Sequence, residues 1–307
     1  MVVNRSKKTA EKSDTTPDAA EKIYSLTDFI EKITKYAERS STLKCYRGQQ
    51  DASWKSTPRL FRLQHKKLEE NENRAIRDLI AVHPQEFSTD QSMFDRLVRM
   101  QHFGLPTRLL DVSLNPLVAL YFATESDLGD NGSDGLVSAF AIPEEREKYF
   151  DSDSVSCIAN LANLTKKEKN QIIDLHTDKE PGENYSDKIK RLNVNFSYRR
   201  LYKFIKEDKS YFLNKIKPED LFKPYYVHPK MSNPRISAQN GGFIIHGLSS
   251  KKDINFKHEI KESKFIIPKD YKNTLRKSLK LLGITESVLF PEIDKAAKRI
   301  TENYLQC

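Results

Sequence analysis

Gln101-His102-Phe103-Gly104-Leu105-Pro106-Thr107-Arg108-Leu109-Leu110-Asp111-Val112-Ser113-Leu114-Asn115-Pro116 is the stretch from which the rest of the chain can be read. It gathers turn residues, an imidazole, a guanidinium, a carboxylate and hydroxyls, and it runs straight into the apolar Leu117-Val118-Ala119-Leu120-Tyr121-Phe122-Ala123. A polar, turn-rich segment feeding a buried one holds polar groups beside a core, as binding and catalytic sites require. Asn115 is a good helix N-cap, and Pro116 suits the first helical position, where a missing N–H has no consequence. A buried helix is therefore expected over Leu117–Thr124. The residues before it should line its positive end, where exposed N–H groups attract phosphate or carboxylate. The plainer reading of the same residues is a tight loop held by structural hydrogen bonds.

Upstream, Ser25-Leu26-Thr27-Asp28 fits a capping signature. Phe29, Ile30, Ile33, Tyr36 and Ala37 then recur at helical spacing, which predicts a helix to about Arg39. Leu43–Tyr46 reads as a short strand ending in Arg47-Gly48-Gln49-Gln50, with Gly48 expected to allow a backbone turn. Arg47 is either a bidentate clamp for phosphate or carboxylate or a structural ion pair. Trp54, the chain's single tryptophan, is read as a packing residue. Helices are expected over Glu69–Val82 and Gln91–His102.

Downstream, Ser126–Asp134 reads as a loop and Leu136–Ile142 as a strand closed by Pro143. From 144 to 222 the composition turns to Lys, Glu, Asp and Asn, and several amphipathic helices form an expected insertion. Thr165 and Glu168 make a capping box within it. Tyr198-Arg199-Arg200-Leu201-Tyr202-Lys203-Phe204 suits either stacking on single-stranded nucleic acid or a helix face with snorkelling basic stems. Further strands are expected at Lys223–Val227, Phe243–His246 and Phe265–Ile267. Arg235-Ile236-Ser237-Ala238-Gln239-Asn240-Gly241-Gly242 is a second polar cluster feeding an apolar run. A helix over Tyr271–Leu282 stops at Gly283, and a last helix covers about Glu292–Tyr304. Together these elements describe an α+β protein with a small, mixed or antiparallel sheet flanked by helices. A disordered polar tail is expected over 1–22, and one domain over 23–307 with the helical insertion at about 144–222.

The chain has 307 residues, and 52 basic against 43 acidic side chains give a net charge of +9. That mildly basic surface leaves RNA, DNA or another polyanion open as a partner, although the charges are interspersed rather than in tracts. Cys45, Cys157 and Cys307 lack zinc spacing and read as a reducing compartment. No apolar run reaches the roughly 20 residues of a membrane-spanning helix, and the first residues lack the apolar core of a signal peptide, so the expectation is a cytoplasmic protein without membrane contact. There is no phosphate-binding GxxxxGK[ST] loop and no GxSxG elbow. The histidines never fall at metal-ligand spacing, so no metal is expected.

What remains is three distant polar clusters, Arg47–Gln50, Gln101–Asn115 and Arg235–Gly241, each abutting an apolar element. If they converge, guanidinium groups, the Asp111 carboxylate, amides and an imidazole share one pocket, which suits a phosphorylated or dinucleotide ligand. The candidates for chemistry are Arg47, Thr107, Arg108, Asp111 and Gln239, with Ser113 as a second hydroxyl. Those for ligand contact are Gly48, Gln49, Gln101, His102, Asn115, Arg235 and Gly241. His102 is an acid–base group or a partner of the following loop. Arg108 and Asp111 are near enough in sequence to pair with each other.

Cys45-Tyr46-Arg47-Gly48-Gln49, Pro58-Arg59-Leu60, Gln101 through Asp111, Ala119-Leu120-Tyr121-Phe122-Ala123, Arg235 through Phe243 and Leu289-Phe290-Pro291-Glu292-Ile293-Asp294 together resemble the bacterial FRG domain over about 25–305. Val112-Ser113 stands where that family tends to place an aromatic. The resemblance implies a defence or toxin-type role, with a macromolecular target and a neutralising or sensing partner. The order of strand-end Arg-Gly, hydroxyl segment leading into Ala-x-x-Phe, and late Gln-x-Gly strand is also similar to ADP-ribosyltransferases, which implies NAD as the ligand. In that order Arg47 would hold the phosphate or ribose side, Thr107 or Ser113 would supply the middle hydroxyl, and Gln239 would stand near the catalytic glutamate. Gln239 is neutral, so Asp111 supplies the negative charge, or catalysis differs, or the pocket only binds. The competing class is a non-catalytic sensor or interaction module that binds RNA or a phage component through its basic surface.

Overall fold

The computed structural model describes residues 20–125, 132–177, 184–213, 216–249 and 258–291. Within them the strands are β1 (Glu21–Lys22), β2 (Leu43–Gln49), β3 (Leu109–Ser113), β4 (Gly135–Ile142), β5 (Glu147–Tyr149), β6 (Tyr225–His228), β7 (Gly241–Ile245) and β8 (Lys261–Ile267). The helices are α1 (Leu26–Glu38), α2 (Lys66–Glu70), α3 (Glu72–Val82), α4 (Met93–His102), α5 (Pro116–Ala123), α6 (Asp153–Asn160) and α7 (Lys166–Thr177). They continue with α8 (Tyr185–Val194), α9 (Phe196–Asp208), α10 (Pro234–Ala238), α11 (Lys269–Leu281) and α12 (Glu286–Leu289).

The architecture is α+β around one mixed eight-stranded sheet in the order β1-β8-β4-β2-β3-β7-β6-β5. Only the outer pairs β1–β8 and β5–β6 are parallel. The sheet is wider than the five strands legible in the sequence, because β1, β3 and β5 join it. Glu21 and Lys22 fall in β1, so the end of the expected polar tail is ordered by pairing with β8. Residues 1–19 of that tail, most of the Ser126–Asp134 loop and the Glu292–Tyr304 helix lie outside the described residues.

The sheet is nearly two sheets. The β2–β4 register runs from Leu43↔Ile142 to Gln49↔Leu136, and β3–β7 runs from Leu109↔Ile245 to Ser113↔Gly241. Between these halves, β2 and β3 meet at Tyr46↔Ser113 alone. On one side of the split, α5 packs with α1, α11, β4 and β8 around Phe29, Leu120, Val137 and Phe265. On the other, α4, α6 and α9 share a core with β3, β6 and β7 that includes Leu97, Ile158, Leu201 and Phe243.

Local chemistry explains most elements. Ser25 caps α1, its Oγ accepting from Asp28 N at 3.1 Å. The capping box at α7 closes both ways: Glu168 N donates to Thr165 Oγ1 at 3.3 Å and Thr165 N to Glu168 Oε2 at 2.8 Å. The Tyr198–Phe204 segment lies in α9, with Tyr198, Leu201 and Ile205 buried and Arg200 paired to Glu168 at 3.1 Å.

Helix α5 is the element that seats the site. Asn115 caps it, Oδ1 accepting from Leu117 N at 2.9 Å, and Pro116 takes the first position. At its other end Arg276 Nη1 donates to Tyr121 O at 2.5 Å and Lys272 Nζ to Glu125 O at 3.1 Å, cations where the helix dipole favours them. Two glycines let it lie on the sheet. A Cβ on Gly48 would sit 1.8 Å from Ala119 O, and one on Gly135 would sit 2.0 Å from Ala123 O. Gly48 therefore makes no turn: it stays inside extended β2, and its missing side chain is the space the helix occupies. Trp54 is not a core residue either. It is 42% exposed, with the Arg62 guanidinium 5.9 Å from its ring.

Candidate functional site

Where β2 and β3 part, a cavity of about 380 Å³ opens, and residues from all three polar clusters line it. Arg47 and Gly48 come from β2, Asp111 and Ser113 from β3, and Gln101 and His102 from the end of α4. Arg235, Gln239 and Gly241 enter from α10 and the start of β7. Val118, Ala119 and Phe122 of α5 supply an apolar wall. The remaining candidates sit elsewhere: Gln49, Thr107, Arg108 and Asn115 are outside this lining.

Arg47 bridges the split. Its Nη1 donates to Asp111 O at 2.8 Å, and the same nitrogen stands 3.9 Å from Asp111 Oδ2, a loose contact. Its Nε is buried and has no hydrogen-bond partner. A buried unsatisfied donor costs about 1–3 kcal/mol, and turning the guanidinium toward an anion in the cavity would satisfy it. Burial lowers the Arg47 pKa first of all, Asp111 pushes it back up, and nearby Arg62 lowers it further. Arg62 is lowered in the same direction by burial and then by Arg59. Arg59 itself lines the cavity. Three guanidinium groups thus repel one another in sequence, and among the described residues neither Arg59 nor Arg62 has a carboxylate partner.

The other polar groups divide into fixed and open. Ser113 Oγ donates to Gln239 O at 2.6 Å and accepts from Asn115 N at 2.9 Å, so it pins the α10–β7 turn to β3. Asn240, in that turn, adopts φ 45°, and its carbonyl accepts from Leu114 N at 2.9 Å. Gln239 Nε2 donates to Leu289 O at 3.0 Å, and the Arg235 guanidinium lies 4.7 Å from the Phe290 ring. Phe290 packs edge-on against Phe122 at 6.0 Å. The segment after α12 is thereby strapped to the cavity wall. The Asp111 carboxylate is 62% exposed, the open acid of the lining.

The residues outside the cavity have structural work. Thr107 Oγ1 donates to Gln101 Oε1 and accepts from Leu109 N at 3.2 Å. Gln49 is buried, donating to Trp54 O at 3.2 Å and accepting from Ser56 Oγ at 3.2 Å. Arg108 does not pair with Asp111. It points into the core, where Nε and Nη2 grip Glu72 at 3.0 and 2.5 Å and Nη1 donates to His246 O at 3.0 Å. Lys169 Nζ reaches the same carboxylate at 2.5 Å. Burial alone would raise Glu72, but Arg108 and Lys169 outweigh it and hold the carboxyl down to about 2. Burial, and then Arg108, lower His246 to about 4, so its imidazole is neutral at ordinary pH.

Arg59 is the lining cation that the three clusters missed. Its signal was the same as theirs: Thr57-Pro58-Arg59 is a polar turn running into apolar Leu60-Phe61. Among the described residues no group of three or more His, Cys, Asp or Glu could hold a metal ion, and no helix is long and apolar enough to cross a membrane.

Residues 43–132 match the family model of the FRG domain. The FRG match starts at the first residue of β2 and takes in Arg47, Arg59, the Gln101–Asn115 segment and all of α5. It is shorter than the resemblance read from the sequence. Arg235, Gln239 and Gly241 reach the cavity from beyond the FRG segment. No curated protein and no solved structure matches the chain. The similarity to ADP-ribosyltransferases rests on motif order alone.

Proposed function

We propose that the cavity binds a phosphorylated nucleotide of the NAD type, and that the protein is a defence or toxin-type effector transferring ADP-ribose to a macromolecule. The observation behind this reading is the charge of the walls. Arg47, Arg59 and Arg235 line the cavity, Arg62 outside the lining adds its repulsion to Arg47 and in turn feels that of Arg59, and the lining carboxylate is Asp111. A diphosphate relieves that repulsion and accepts paired guanidinium hydrogen bonds. In the transfer, the bond from ribose to nicotinamide breaks and nicotinamide leaves with the electron pair, while the acceptor's nucleophile bonds to the ribose carbon and releases its proton. Asp111 would oppose the positive charge that builds on the sugar. Gln239 lends its amide to Leu289 and serves the wall.

Labelled NAD tests this with wild type, Arg47→Ala and Asp111→Ala. Wild type is expected to bind saturably, Arg47→Ala to bind at least about tenfold more weakly, and Asp111→Ala to bind while losing transfer. Absence of binding and transfer in every form removes the reading. Expression in bacteria should be toxic in an Arg47-dependent way. The second reading is a passive sensor for RNA, favoured by the half-exposed Trp54 beside Arg62. It predicts a steep fall of RNA affinity with salt and indifference to Asp111→Asn.

A further inference from the structure

We infer that a second pocket, adjoining the first, takes the neutral planar ring of the ligand whose phosphates the arginines hold: a nucleobase or a similar heteroaromatic ring. This rests on the anion-binding reading above. The pocket encloses about 470 Å³ and shares Val98, His102 and Asn233 with the arginine-lined cavity. The two compartments are therefore neighbours on either side of these three residues, within the span of one dinucleotide-sized ligand.

The two compartments differ in electrostatics. In the second, Arg99 holds Asp90 through Nε–Oδ2 and Nη2–Oδ1 contacts, both 2.8 Å, and Lys230 holds Asp95 at 3.0 Å. Each charge there already has its counter-charge, so nothing in it draws another phosphate. The rest of the lining is uncharged, mixing Thr89, Ser232 and Asn233 with ring and hydrocarbon from Phe103, 56% exposed, and from Pro229, Pro234 and Pro291. An aromatic face left open at the mouth of a charge-neutral pocket favours a stacked ring over a second anion. His102 stands on the boundary, its ring 5.3 Å from that of Phe103. Asn233 joins the compartments from the other side, where its Oδ1 accepts from Arg235 N at 2.8 Å and fixes the start of the helix that carries a cation of the first cavity.

The test is calorimetric titration of the full chain with inorganic pyrophosphate and with ADP, for wild type, Phe103→Ala and Ser232→Trp. Phe103 is exposed, and Ser232 lies on an exposed part of the same rim, where an indole would obstruct the pocket without entering the core. ADP should bind wild type at least about tenfold more tightly than pyrophosphate, and both variants should cut that advantage to about twofold while leaving pyrophosphate unchanged. Equal affinity of wild type for the two probes, or an advantage that survives both substitutions, overturns the ring pocket. In either case pyrophosphate binding would still support the arginine-lined cavity. If neither probe binds, both readings fall together.

Discussion

Arg47, in β2, and Arg108, in the bend just before β3, have opposite surroundings. Arg108 is 1% exposed and gives its guanidinium to the Glu72 carboxylate and a backbone carbonyl, with Lys169 completing the triad. Arg47 faces a cavity with one carbonyl bond, a carboxylate 3.9 Å away and a buried Nε that bonds to nothing. A saturated arginine holds the fold together. An arginine left short of partners beside an open volume is one whose partner arrives from outside. Arg47 keeps 17% of its side chain exposed against 2% for Arg108, and its hydrogen bonds are unfilled where those of Arg108 are complete.

Several perturbations sharpen or break that contrast. Arg108→Met should have the largest effect, because it leaves Glu72 buried with half of its compensation. A loss of about 3–5 kcal/mol in chemical denaturation is expected, and a loss below about 1 kcal/mol would mean the triad is not structural. Gly48→Ala follows, at about 3 kcal/mol, since its methyl would have to push the α5 backbone off β2. A variant of near wild-type stability would show that α5 can move freely, and that the cavity it walls is not rigid.

Acid titration separates the regions by pH. Glu72 is held below its ordinary value of 4.5, down to about 2, so its stabilisation is fully present above pH 4.5 and is lost as pH falls toward 2. Wild type should lose stability through that window, and Glu72→Gln should lose it at neutral pH and flatten the acid limb. An unchanged acid limb in Glu72→Gln would assign the pH dependence to other carboxylates.

The contrast also marks what could be read without coordinates. Helix α5, with Asn115 and Pro116 at its start, was legible because capping is a code of adjacent residues. The capping box of Thr165 and Glu168 was legible for the same reason. Strand β3 was not: Leu109–Ser113 is five residues set between Pro106 and Pro116, and it is a strand because β7, far along the chain, pairs with it. The fate of Arg108 was equally hidden, since Asp111 is its sequence neighbour while its true partner, Glu72, lies on α3. The shared pattern of polar turn and apolar run marked the three clusters as candidates but left open whether they meet, which the pairing of β2, β3 and β7 decides. Which members face inward depended on strand alternation in β3, whose Leu110 and Val112 join one core while Leu109 joins another.

The most direct measurement is a thermal scan of Arg47→Ala with and without ADP-ribose, beside wild type. The expected result is a melting temperature within about 2 °C of wild type in the absence of ligand, and loss of the upward shift that ADP-ribose gives wild type. An equal ligand-induced shift in the variant, or a fall as deep as that of Arg108→Met, would contradict the assignment of Arg47 to a ligand rather than to the fold.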